Sequence, residues 1–333
     1  GAPAPFVLRP WTPADRQPYL DLLRKAWGPG SMTGEHFDWW FLRNPAGSLM
    51  SVAEIDGRVV GVASHSLGRM VLGGREQLGQ FSVHATTDES ARGLGIFQQL
   101  ELRHEEEGAA RGSQVVLAFA SAPTSPLFTG PLGWTAIDPR RVWMRPLGGA
   151  LGRAAGRRGA GGLAPREAAG PGPWRVRGVE VCRVTEFGEA EEAAYRAAAP
   201  VLGNHVVRDA RYLNWRYLDG PPPGYRAFAA EGAFAVLGWK RHRGVSLAYV
   251  AECVGPARAA RALLLRCLAE ARGAEACALV PPAGLGRADL AALGFLPSHI
   301  SLDFMGKALP GAAAPLDARS ASWVVSLGDT DFF

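Results

Sequence analysis

Thr86-Thr87-Asp88-Glu89-Ser90-Ala91-Arg92-Gly93-Leu94-Gly95-Ile96-Phe97-Gln98-Gln99-Leu100 joins a segment of strand character to one of helical character. Upstream, Gln80, Ser82, His84 and Thr86 alternate with Gly79, Phe81, Val83 and Ala85, as in a strand with two unlike faces. Downstream, Ile96, Leu100 and His104 recur every four residues and mark one stripe of a helix running to about Ala110. Glycines in such a turn let backbone N–H groups approach an oxyanion, and the helix start adds partial positive charge. No Gly-Lys-Ser/Thr closes the turn, the third glycine of a dinucleotide fingerprint is missing, and the preceding strand follows a hairpin. These features exclude the two commonest phosphate-binding motifs.

Outward from this turn the chain reads as a doubled pattern. A strand at Phe6–Arg9 leads to a helix opened by Thr12 and Pro13. Leu49–Ile55 and Val59–Leu67 form a hairpin on Asp56-Gly57, and further strands fall at Ser113–Ala120 and Ala136–Met144. The second half repeats this order, with Val179–Val184, strands near Ala227–Trp239 and Val245–Val254, a helix at Ala257–Ala271, and strands at Ala276–Val280 and Ile300–Met305. Trp40 and Trp215 stand at the same separation as Gly57 and Gly232, and Leu132-Gly133-Trp134 matches Leu293-Gly294-Phe295, which points to an internal duplication. Between the halves, Gly148 to Pro173 carries almost no large apolar residue and reads as a flexible linker. The expected division is therefore 1–147, 148–173 and 174–333.

With 333 residues, 47% hydrophobic and 20% charged, the chain has length for two domains and apolar content for packed cores. A net charge of +5 permits an anionic ligand without demanding nucleic acid. Four cysteines without a CxxC, Cys182, Cys253, Cys267 and Cys277, read as buried thiols and exclude a disulfide scaffold or a zinc knuckle; no metal is expected. No apolar run reaches the ~20 residues of a membrane span, and Gly1–Pro5 lacks signal-peptide character, so a cytoplasmic location is expected.

The turn resembles the pyrophosphate loop of the GCN5-related N-acetyltransferase (GNAT) superfamily, Arg/Gln-x-x-Gly-x-Gly/Ala, with Arg92 first, Gly95 fourth and Phe97 sixth. Phe97 departs from the small residue usual there. An alternative register starts at Ser90 and uses Gly93 and Gly95. The resemblance covers residues 6 to 146 by element order and extends to the second half. It implies an α/β (α+β) fold of two tandem GNAT-like repeats, each a mixed, mostly antiparallel twisted sheet flanked by helices. It also implies that Thr86, Thr87, Arg92, Gly93, Leu94, Gly95, Ile96 and Phe97 hold acetyl-CoA or another acyl-CoA. The matching segment of the second half, Val254-Gly255-Pro256-Ala257-Arg258, has no Gly-x-Gly, so this repeat is expected not to bind the cofactor.

Acyl transfer to an amine needs a proton acceptor and donors for the developing oxyanion. The family often uses a carboxylate on the fourth strand as base and a tyrosine, four residues before the glycine of Leu-Gly-Phe, as acid. Here Thr129 stands at the tyrosine position. His84 is the base candidate because imidazole titrates near neutral pH, with Glu76 as a second option. Thr86 and Thr87 amides are the implied oxyanion donors. Gln80, Ser82, Trp40, His205 and Trp215 are candidates for the acceptor pocket, and Glu105-Glu106-Glu107 reads as a solvated helix face. The leading function is an N-acyltransferase acting on an amine of a small metabolite, in a monomer of two pseudo-symmetric repeats; the Ala/Arg/Gly-rich composition suggests a bacterial source. Two alternatives stand beside it. One is a transferase taking an aminoacyl group from tRNA, with Arg153, Arg157, Arg158, Arg166, Arg175 and Arg177 on phosphates. The other is a non-catalytic acyl-CoA-binding protein.

Overall fold

The computed structural model describes residues 5–28, 31–120, 124–148, 172–222, 224–242 and 244–330. Two compact units emerge: unit 1 comprises Gly1–Asp138 and Asp303–Ser320, and unit 2 comprises Pro139–Leu302 and Ala321–Phe333. The interior of the expected linker, with Arg153, Arg157, Arg158 and Arg166, lies outside the described residues, as does most of Gly1–Pro5.

Unit 1 opens with β1 (Val7–Pro10). The Thr12 amide and hydroxyl both donate to Asp15 Oδ2 at 2.8 Å, closing a 3-10 turn with Pro13 that feeds α1 (Arg16–Trp27). A short α2 (Gly34–Phe37), capped where the His36 amide donates to Thr33 Oγ1 at 3.1 Å, runs into a π-helical turn, Asp38–Leu42. That turn is closed by the Arg43 amide on the Asp38 carbonyl at 3.0 Å. Strands β2 (Ser48–Ile55), β3 (Arg58–Leu72) and β4 (Arg75–Thr87) form an antiparallel meander. Helix α3 (Ile96–Ala110) then crosses to β5 (Val115–Ala120), which lies parallel to β4, and α4 (Ser125–Thr129) follows. Ile96 and Leu100 bury their stripe on Ala53, Val60 and Ala63, while Phe128 and Trp134 pack with Val116 and Met305.

Strand β6 (Thr135–Pro146) leads into unit 2, where β7 (Trp174–Val176), β8 (Val179–Val184), α5 (Glu189–Ala198), β9 (His205–Val206) and α6 (Ala210–Leu213) follow. The Tyr212 amide caps on Asp209 at 2.8 Å, and α6 passes into a second π-helical turn, Asn214–Leu218, closed by the Asp219 amide on the Asn214 carbonyl at 3.0 Å. Then come β10 (Arg226–Ala230), β11 (Ala233–His242), β12 (Val245–Val254), α7 (Ala257–Glu270), β13 (Ala276–Leu279), α8 (Arg287–Ala292) and β14 (Leu296–Ala308). Strands β8, β10, β11 and β12 pair antiparallel in that order, and β12 pairs parallel with β13. The two units thus share one topology, a mixed, mostly antiparallel sheet flanked by helices. The paired π-turns are its clearest mark. They align Trp215 with Trp39, one residue before the Trp40 expected from sequence spacing.

Three features differ from the sequence reading. The last strand of each sheet comes from the other half of the chain: Asp303–Ala308 of β14 lies antiparallel to β5, and Trp143–Pro146 of β6 lies antiparallel to β13. Glu105 is buried instead of solvated, accepting from Trp134 Nε1 and Lys307 Nζ, both at 2.7 Å. Among the cysteines, Cys267 and Cys277 are buried, whereas Cys182 is exposed because it sits on an outward position of β8.

Candidate functional site

The turn between β4 and α3 is open. Gly93 and Gly95 take φ of +83° and +79°, the left-handed region that favours glycine, and a Cβ at either would meet nothing within 4 Å. Arg92 through Gly95 are exposed. Among the described residues, none accepts a hydrogen bond from the amides of Gly93 through Gln98; the first bond of the helix runs from Gln99 to the Gly95 carbonyl at 3.0 Å. No acid stands in the first turn of α3 to compete for that positive end. Asp88, just before the turn, is occupied: it accepts from the Ser90 amide and hydroxyl and from Lys25 Nζ, and these bonds hold its carboxyl below the ordinary carboxylate range. Arg92 is exposed, 3.7 Å from Glu89. Phe97 turns inward, its ring 5.4 Å from that of Phe128. The chain therefore offers backbone donors and a basic residue suited to an anionic group such as a diphosphate.

Beside the turn, β4 and β5 separate. Among the described residues they pair only at Gln80–Val116 and Phe81–Leu117, and none pairs with the last six residues of β4 on that edge. The Asp88 amide donates to the Val60 carbonyl at 2.8 Å, and Thr86 lies opposite Val62. The alternation of an antiparallel ladder then points the Thr87 N–H away from β3, toward the opened edge.

Between Val83 and Thr86 the register with β3 slips, and His84 takes φ +50°. This bulge breaks the expected face. Gln80 and Ser82 lie beneath α3, not in a pocket. Gln80 is fully buried, donating to His65 Nδ1 at 2.8 Å and to the His104 carbonyl at 3.0 Å. Ser82 Oγ donates to Glu101 Oε1 at 3.1 Å. After the extra residue, the His84 ring faces the other side, with Trp27, Trp40 and Phe41 at centroid distances of 6.2, 6.0 and 5.8 Å. Trp40 Nε1 donates to Ser66 Oγ at 2.9 Å, so its ring is held in place. Tyr19, which the sequence reading did not single out, donates to the His84 carbonyl at 3.1 Å and shares a 2.5 Å bond with Ser64. Its place on the apolar stripe of α1 signals burial but not this contact.

The remaining candidates fall elsewhere. Glu76 sits near the far end of β4, paired with Arg69 at 2.6 Å and half exposed, eight residues and about 26 Å of strand from His84. Thr129 is exposed and donates to its own helix, to the Ser125 carbonyl at 3.2 Å. His205 is buried in unit 2 between Tyr195 Oη at 2.9 Å and the Gly203 carbonyl at 2.8 Å, and burial lowers its pKa. Trp215 is a buried wall of unit 2 beside Tyr212.

Under α3, His65 bonds Glu101 at 2.9 Å and His104 bonds Ser51 at 2.9 Å, pinning the helix whose start forms the turn. Burial, then the neighbouring His65, Arg103 and Arg111, hold His104 well below the ordinary imidazole value. The folded state thus refuses a proton that the unfolded chain accepts below pH ~6.5. Stability from this group is present above that pH and falls by up to about 1.4 kcal/mol per pH unit below it. Thermal melts from pH 7.5 to 5.5 should show a falling Tm for the wild type and a shallower fall for His104→Gln. Equal slopes would remove this account.

No protein-family model and no curated protein matches the sequence. Solved structures do match in shape. They include a GCN5-related N-acetyltransferase from Anabaena variabilis, 11% identical over 91% of this chain and 72% of that one, with a TM-score of 0.62. A GCN5-related N-acetyltransferase from Kribbella flavida is 18% identical over 91% and 71%, with a TM-score of 0.59. Eis1 from Mycobacterium abscessus is 14% identical over 91% and 73%, with a TM-score of 0.54. At these identities the likeness carries the fold alone, one shared with these solved structures.

Proposed function

We propose that the chain is an N-acyltransferase moving an acetyl or other acyl group from acyl-CoA to an amine of a small metabolite, with its competent site in unit 1. The observation that carries this reading is the row of amides from Gly93 to Gln98, without an acceptor among the described residues and led by the exposed Gly93, Leu94 and Gly95. In this reading those amides and Arg92 hold the cofactor's diphosphate. When bound, the cofactor supplies an acyl group activated as a thioester. The Thr87 N–H, on the free edge, donates to the acyl oxygen as charge develops there. His84 takes the proton of the attacking amine, its ring set by the bulge and its aromatic neighbours. Thr129 has no part in this scheme.

The test is calorimetric titration with CoA, followed by thiol release from acetyl-CoA over a panel of primary amines. Binding with turnover supports the proposal. Binding without turnover on any amine leaves an acyl-CoA-binding protein only, and absence of heat rejects both readings. His84→Ala should lower kcat by ~10²–10⁴ with KM for acetyl-CoA unchanged. Glu76→Gln and Thr129→Ala should stay within about twofold of the wild type. A His84→Ala enzyme of full activity would remove the assigned base.

A further inference from the structure

Unit 2 contains a cavity of about 470 Å³ where β12 and β13 diverge; the two strands pair only from Leu247–Ala276 to Tyr249–Ala278. Its position within unit 2 corresponds to that of the opened β4 edge in unit 1, but its chemistry differs. A Cβ at Gly255 would collide with Ala233, and Pro256, which precedes α7, has no N–H. The exposed pair of left-handed glycines that marks the turn of unit 1 is therefore not repeated here.

The walls are aliphatic and small, among them Ala194, Ala198, Val250, Val254, Val280 and Val325. Among the described residues no aromatic side chain lines the space. The lining follows β12 from Val250 to Val254, about 13 Å, which suits an extended chain better than a ring system. At the mouth stands Val201, 81% exposed, an apolar lip left in water. The polar end is made by Arg208, Glu252 and Ser326, and these groups already satisfy one another. Arg208 bonds Glu252 at 2.9 Å, and Glu252 accepts from Tyr217 at 2.8 Å and from Ser326 at 2.9 Å. Arg208 is the one cation among the described lining residues, and it is already paired. Cys253 also lines the space, but burial pushes its thiol up to about 12, so it stays protonated and offers no covalent chemistry.

We propose that this cavity is a second ligand site, independent of the transferase reading, for a neutral, unbranched aliphatic molecule. Aliphatic walls reward a chain of methylenes, and a saturated polar cluster gives a charged head nothing to pair with.

Octan-1-ol is the probe, titrated calorimetrically into the full chain, with octanoate and hexane-1,6-diol beside it. Saturable binding of octan-1-ol at one site is expected, with both competitors weaker by at least ~tenfold. Ala198→Trp, which fills the cavity from the end of α5, should weaken octan-1-ol by a similar factor and leave the heat with CoA unchanged. Val201→Asp, which places a charge on the lip, gives a second and milder perturbation should the tryptophan variant not fold. No saturable heat from the wild type overturns the proposal. So does octanoate binding as tightly as octan-1-ol, or an affinity untouched in the folded variants.

Discussion

Gly95→Val is expected to weaken CoA binding at least ~100-fold while leaving a folded protein. Gly95 holds φ +79° and ψ 11°, and its carbonyl starts the ladder of α3. A β-branched residue there costs about 1–2 kcal/mol, or shifts the backbone to avoid that cost. Packing does not forbid the change, because the new Cβ enters open space. In the proposed reading that space is the diphosphate's approach to the amides. Each charge-assisted bond contributes about 1.5–3 kcal/mol, so losing two accounts for a hundredfold or more. Gly95→Asn should fall between, since asparagine tolerates the left-handed region but still adds a side chain. Titration with CoA measures the first effect and urea denaturation the second. Wild-type affinity in Gly95→Val would mean that this turn holds no diphosphate.

The contrast between that turn and its surroundings shows which physics a sequence carries on its face. The Asp56-Gly57 hairpin and the start of α3 depend on local conformational preference, so their residue types announce them. The closing strands do not. Residues 139–146 and 303–308 are both apolar enough to end a sheet, and which sheet they end depends on pairings more than a hundred residues apart. His84 shows the cost of one residue. Strict alternation puts it on the face of Gln80 and Ser82, yet a single bulge residue inverts the face, sending those two beneath α3 and the imidazole among aromatic rings. Nothing in Ser82-Val83-His84-Ala85 marks that bulge, because it answers to the register with β3. Glu105 hides its burial from the sequence for a related reason: Trp134 and Lys307, whose bonds satisfy its carboxylate, are distant in the chain.

Arg208→Ala should be the most damaging single substitution for unit 2, removing about 3–5 kcal/mol. The guanidinium is almost wholly buried and bonds Glu252 at 2.9 Å and both oxygens of Asp329 at 2.9 and 2.7 Å, besides the Val206 carbonyl at 2.5 Å. Truncation leaves two carboxylates inside the unit without a counter-charge. Burial already pushes the Glu252 carboxyl above its ordinary value, and loss of Arg208 removes the chief influence opposing that rise. Folding of the variant therefore favours uptake of a proton at Glu252. Its deficit should be largest near pH 8 and shrink toward pH 5, where protonation of the orphaned Glu252 carboxyl relieves it. Arg208→Met combined with Glu252→Gln and Asp329→Asn removes every charge at once and should lose much less than Arg208→Ala, because desolvation of the ions is avoided along with their attraction. Urea denaturation at both pH values separates the possibilities. A loss under ~1 kcal/mol in Arg208→Ala, or a deficit that grows as pH falls, would show that the arginine holds unit 2 by packing alone.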